Sequence, residues 1–164
     1  MGLFRRTIRA KGPDRFLVDL PDELRDVIAE VCTDVLGMLD DDAASGDPAR
    51  NPVLRRVFPA ASADDPDVEA AYRDLVGSDL LRSRRDLLTR VAATAHEREL
   101  DRDTMETWMA GLNTVRLVLG TRLDVQEDSF PELEPDDPEL PAWALYEFLG
   151  ALVGWIVDAL ARTA

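Results

Sequence analysis

The stretch WMAGLNTVRLVLGTRL, residues 108–123, decides the fold. Met105, Trp108, Leu112, Val115, Leu119 and Leu123 recur at three- and four-residue spacing, which is the period of one helix face. Four other residues interrupt the oily run. On a helical wheel Arg116 falls inside the apolar arc and Arg122 at its rim, while Asn113 and Gly120 sit on the flank beside Arg116. A buried guanidinium without partners costs several kcal/mol, so Arg116 calls for a carboxylate or several carbonyls. Glu69, Asp74 and Glu147 are the acids that neighbouring helices would present. The alternative is a pocket in which Arg116 and its neighbours recognise an anion or a partner.

Before this helix, Asp101 or Asp103 is its cap. Upstream, Asp65 followed by Pro66 gives an N-cap and a proline in the first turn, and Val68, Tyr72, Leu75 and Val76 give that helix a buried side. Gly77-Ser78-Asp79 permits a kink or a restart capped by Ser78, and the helix runs on to about Glu97. PVLRRVF forms one short helix stopped at Pro59. An earlier helix starts at Pro21 with acids in its first turn, and carries Leu24, Val27, Ile28, Val31, Val35 and Leu39 as one stripe. DDDAASGDPARN then reads as a loop. At the N-terminus, Phe4/Arg6/Ile8 and Phe16/Val18/Leu20 alternate about a Gly-Pro-Asp turn, the pattern of a β-hairpin. After residue 123 comes an acidic loop with four prolines (124–141), then a final helix from Pro141. The expected fold is mainly α: an irregular bundle of four longer helices and one short helix, with a small N-terminal β-hairpin. Residues 1–164 read as a single domain, in which 1–20 form a basic hairpin arm and 21–164 the helical bundle.

A chain of 164 residues with 46% hydrophobic and 32% charged residues can build a core without disulfides or metal. Its net charge of −14 is uneven. Residues 1–16 hold five bases against one acid, whereas 17–49 hold ten acids and one base, and 124–141 hold eight acids and none. An acidic field repels nucleic acid, whose binding is mainly phosphate neutralisation. DNA contact would have to come from the arm (Arg5, Arg6, Arg9, Lys11) or from RSRRDLLTR, 82–90. A solvated, charge-protected hairpin edge is the plainer reading of the arm. One cysteine, Cys32, excludes an internal disulfide and fits a reducing cytoplasm. MGLFRRTIRAKG lacks the apolar segment of a secretory signal. In the final helix only ten uncharged residues separate Glu147 from Asp158, so it reads as a core helix and not a membrane anchor.

Catalytic chemistry finds little to work with. His96 is the only histidine and lies among charged residues at a helix end, and no zinc spacing, phosphate loop or nucleophile elbow is present. No cofactor is expected, and an enzyme is the least favoured class. Asp40-Asp41-Asp42 and Asp136-Asp137 lack the spacing of a calcium loop and read as solvated surface. Cys32 sits at the edge of an apolar stripe beside Glu30 and Asp34, which fits a small buried hydrophobe better than a redox sensor. Gly150 and Gly154 fit tight helix packing, with a homodimer seam as the alternative.

LRRVFP (54–59), Asp64-Asp65 with EAAYR (69–73), and the opening stretch carry a resemblance that covers nearly the whole chain. They resemble the actinobacterial oxidative-stress-response regulators called AosR, a family long carried as a domain of unknown function. That family's pattern has an aromatic, then Leu-Asn, Arg-Leu and Gly-Thr-Arg-Leu, which here are Trp108, Leu112-Asn113, Arg116-Leu117 and Gly120 to Leu123. Thr114 stands where the pattern has Asp, and Ser62 where it has Tyr. The resemblance implies a cytoplasmic transcriptional regulator that responds to oxidants and acts with RNA polymerase or a sigma factor. It also hints at a proteolysis partner. The lone Cys32 leaves no cysteine-pair switch within the chain. The expected function is thus regulation through protein partners, with DNA contact weak and secondary. The alternative is a non-enzymatic adaptor without DNA binding, working through the loop 124–141 or an exposed helix face.

Overall fold

A computed structural model describes the backbone of residues 7–45, 51–54, 56–57, 64–127 and 131–164, and their side chains except at 45, 69 and 72–76. Its elements are β1 (Ile8–Ala10), β2 (Arg15–Val18), α1 (Asp22–Ser45), a 3-10 turn (Pro52–Leu54), α2 (Pro66–Thr94), β3 (Glu99–Asp101), α3 (Arg102–Arg122) and α4 (Leu140–Ala161). The expected mainly helical fold, with four long helices and a small β element, is what the chain adopts.

The sheet is larger than a hairpin. β2 lies between β1 and β3, antiparallel to both, with Ile8 opposite Val18 and Phe16 opposite Leu100. These four side chains are buried and form the sheet's inner face. Residues 97–101, read from sequence as a helix end and cap, therefore include a strand. Asp101 ends that strand and also caps α3, its carboxylate accepting from Thr104 N at 2.8 Å. The pairing ties the N-terminal segment to the bundle, so described residues 7–18 belong to the body of the fold.

α1 buries Arg25, Ile28, Cys32, Val35 and Leu39, a seam of three- and four-residue steps. The helix runs through Asp40–Asp42 to Ser45, beyond the loop expected from residue 40 onward. Asp40 pairs with Arg85 of α2, and Asn51 donates to Asp42 at 2.5 Å, so tertiary contacts hold the acidic turn helical. α2 begins at the expected cap: the Asp65 carboxylate accepts from Asp67 N and Val68 N at 3.0 and 3.3 Å. It passes Gly77 without a break.

α3 is the central helix, flanked by α1, α2, α4 and the 3-10 turn. Its buried set extends from Thr104 to Thr121 and is wider than one stripe, because several elements cover it. Trp108 donates its indole N–H to Thr94 Oγ1 at 2.8 Å, fixing the end of α2 on α3. The closest approach is at Gly111, where a Cβ would lie 2.7 Å from Val91 Cγ2. α4 packs on α3 and β1 through Leu149, Leu152, Ile156 and Ala159. By length and composition α4 could cross a membrane, but these residues enter the common core.

Candidate functional site

α3 and α4 also meet along a second ridge of α4. Trp143, Tyr146 and Gly150 stand at i, i+3 and i+7, on a different side from the core residues 149, 152 and 156. α3 runs antiparallel beside this ridge, so that Arg116 meets Gly150 and Tyr146, and Gly120 meets Tyr146. The Arg116 guanidinium lies over the Tyr146 ring with Cζ 4.7 Å from the centroid, a cation–π contact. Its Nε is buried and has no hydrogen-bond partner. Gly150 makes this possible, since a Cβ there would stand 3.1 Å from that Nε. Tyr146 packs edge-on against Trp143, with centroids 6.1 Å apart and planes at 76°. Trp143 Nε1 is a second buried donor without a partner.

Arg56 reaches the same contact from beyond the 3-10 turn. Its Nη2 donates to Val125 O at 3.0 Å, while its Nη1 and Tyr146 Cε2 both come within 3.3 Å of where a Gly120 Cβ would be. Gly120 thus leaves room for a ring edge and a guanidinium together. A carboxylate network around Arg116 was expected, with Glu69, Asp74 or Glu147. Among the described residues no carboxylate pairs with Arg116, and Glu147 is exposed; the side chains of Glu69 and Asp74 lie outside the described set. Among the described residues Arg116, half-buried, is held by an aromatic face and by no ion pair. Asn113 and Arg122 are exposed, because only one flank of α3 turns toward α4. The opening stretch therefore contributes Arg116 and Gly120 to the contact with α4, and not Asn113 or Arg122.

Among the described residues the fully buried guanidinium is elsewhere, at Arg25. It is fully buried and donates Nε to Leu20 O at 3.0 Å, Nη2 to Val18 O at 2.7 Å, and Nη1 to Ala95 O and Glu97 O at 3.0 and 2.8 Å. Burial pulls its pKa down, and Arg98 adds to this, whereas Asp22 at 3.8 Å acts the other way. An arginine stays charged in such a place, and four carbonyl dipoles stand in for water. Sequence reading passed over Arg25, although the seam 28, 32, 35, 39 extends backward onto it.

Cys32 is fully buried in that seam, and burial pushes its thiol up to about 12. It behaves as a small core residue, out of reach of solvent oxidants. His96 is exposed in the turn after α2, its Nε2 3.2 Å from Asp26 Oδ1. Among the described residues no group of three or more His, Cys, Asp or Glu side chains is placed to hold a metal ion.

The two surfaces considered for DNA have carboxylates at hand. Lys11 and Arg15 both bind Glu99, at 3.2 and 2.8 Å, and Arg9 lies 3.8 Å from Asp19. On α2, Arg82 pairs with Asp79, Arg85 with Asp40 and Arg90 with Asp103. Arg5 and Arg6 lie outside the described residues. The acidic Pro-rich segment is exposed at Glu132, Glu134, Asp136 and Glu139.

A family model described as a domain of unknown function (DUF2017) matches residues 1–160, and the chain belongs to that family. No curated protein and no solved structure matches the chain.

Proposed function

We propose that this chain is a cytoplasmic, non-catalytic regulator of the AosR type, linked to oxidative stress and acting by binding a basic protein of the transcription machinery. The observation that carries the reading is the outer face of α4. Leu140 and Val157 are 36% and 45% exposed, Ala144 and Ala151 are exposed between them, and Phe148 and Trp155 are half-buried at the edge. α4 contains no basic residue, and its only charges are Glu147 and Asp158, both exposed. An exposed side that interleaves Leu140, Ala144, Ala151 and Val157 with Glu147 and Asp158 suits a partner surface of apolar side chains interspersed with Lys or Arg. RNA polymerase or a sigma factor is the partner class that the resemblance implies. The ion pairs of Arg9, Lys11, Arg82, Arg85 and Arg90 support protein over duplex DNA as the principal target.

On this reading the oxidant signal reaches the chain through its partner, because the one thiol is buried and held protonated. Cross-linked capture from native cells, with and without peroxide, tests the proposal. Enrichment of polymerase or sigma-factor subunits that changes with peroxide supports it. Enrichment of protease components alone favours the adaptor reading. Saturable binding of duplex DNA at about 50 mM salt, lost on neutralising the arm, would make DNA the target instead.

A further inference from the structure

The edge of α4 beside β1 is only partly covered. Ile8, Trp155, Asp158, Ala159 and Arg162 line a partly open cavity of about 40 Å³ there. Ile8 and Ala159 are buried, Trp155 is half-buried, and Asp158 and Arg162 are exposed. Trp155, Asp158 and Arg162 follow one another at helical spacing and form one stripe. Among the described residues no base forms an ion pair with Asp158, not even Arg162 one turn further on. Ile8 opens β1, which packs on α4, and Thr7 O accepts from Asp19 N at 2.7 Å. The chain before Thr7 therefore sets out from this edge. Residues 1–6, MGLFRR, lie outside the described set. Extended, six residues span ~20 Å, the length of roughly thirteen helical residues, which is ample to cross the stripe. Their order suits it: Arg6 and Arg5, next to the described chain, come within reach of Asp158, and Phe4 and Leu3 follow for Trp155.

We propose that residues 1–6 form a strap across this edge of α4, with Arg5 and Arg6 set against Asp158 and with Leu3 and Phe4 against the Trp155 side chain. Neither contact is strong alone, since an exposed ion pair contributes at most ~1 kcal/mol. The tether supplies the rest. A short linker holds its segment at a millimolar effective concentration, so weak contacts close within one chain before they close between two. That argument makes the chain's own segment the occupant, and not a second copy. The field of a body with net charge −14 draws the arginine pair inward as well. Partner docking along Leu140, Ala144 and Ala151 is a separate matter, and the test below uses the isolated chain.

The full chain with Gly2→Cys carries a nitroxide at that position, while Cys32, fully buried, stays unlabelled in the native protein. The tryptophan indole N–H signals are compared with the nitroxide oxidised and reduced. The Trp155 signal is expected to broaden strongly, and that of Trp143, near the other end of α4, to stay sharp. Arg5→Glu together with Arg6→Glu should lower the docked fraction about fivefold, the equivalent of ~1 kcal/mol of exposed ion pairing. Adding Asp158→Arg, at an exposed position, should restore it, and Phe4→Ala should lower it without touching the charges. A Trp155 signal that stays sharp in the natural sequence would overturn the proposal. So would broadening that the charge-reversed arm leaves unchanged, or a charge swap that restores nothing. Equal broadening by nitroxide carried on a separate chain would place the segment on a second copy, against the proposal.

Discussion

Arg25 Nη1 donates to Ala95 O at 3.0 Å, joining residues 70 apart in the chain. With its bonds to Val18, Leu20 and Glu97, the guanidinium fastens the end of β2, the start of α1 and the turn after α2 at one point. Arg25→Met would leave four carbonyls without their donor. A loss of about 3–5 kcal/mol is expected, read as a lower urea midpoint. Arg25→Lys should recover only part of it, since one ammonium cannot reproduce the planar fork. An unchanged midpoint in Arg25→Met would show that the carbonyls find other partners.

Cys32 makes a prediction about alkaline pH. Its folded thiol pKa, about 12, stands above the ordinary value of 9.0 that the unfolded chain regains. From pH 9 upward the unfolded state releases a proton that the folded state keeps. Stability contributed by this group is therefore present below pH 9 and lost as pH rises toward 12. Cys32→Ala should flatten that fall while lowering stability at neutral pH by about 1–2 kcal/mol. Native protein at pH 8 should resist thiol reagents until denaturant is added.

Glu99 predicts the opposite sign at acid pH. Its bond to Lys11, helped by Arg15, holds the carboxyl below the usual range. The contribution of this group is present above the unfolded carboxylate pKa and lost as pH falls through the depressed folded value. Hydrogen exchange at β1 and β2 should quicken over that window in the native chain. Glu99→Gln should exchange faster at neutral pH and lose the acid dependence.

The glycines of the long helices separate by surroundings. In Gly111→Ala the new methyl meets Val91 Cγ2 at 2.7 Å and Leu87 O at 3.4 Å. Overpacking of about 1–3 kcal/mol outweighs a helix-propensity gain of about 1 kcal/mol, so the variant should melt lower. Gly37→Ala meets nothing within 4 Å and should melt higher, by the propensity gain alone. Equal melting shifts in the two variants would contradict the close α2–α3 approach.

The four long helices were legible because apolar residues recur at helical spacing and because Asp65-Pro66 and Asp101 are strong start signals. β3 escaped notice because three residues are too few to show alternation, and its partner strand lies more than 80 residues away. The helical state of Asp40–Ser45 depends on Arg85 and Asn51, contacts that no local window contains. At the α3–α4 contact, a wheel places Arg116 on the apolar arc but cannot choose between an acid and an aromatic partner. Tyr146 and Gly150, on another helix, make that choice. Arg25 was the opposite case. Its signal was present in the seam spacing, but an arginine heading an apolar stripe looks like the stripe's end.

The central claim is that the chain works by protein contact through the outer face of α4. It is tested most directly by cross-linked capture from native cells with the natural chain and with Ala151→Arg, an exposed substitution in the middle of that face. The account predicts polymerase or sigma-factor subunits enriched with the natural chain. With Ala151→Arg at an unchanged melting temperature, that enrichment should fall at least tenfold. Equal enrichment with both chains, or duplex DNA as the principal captured species, would contradict it.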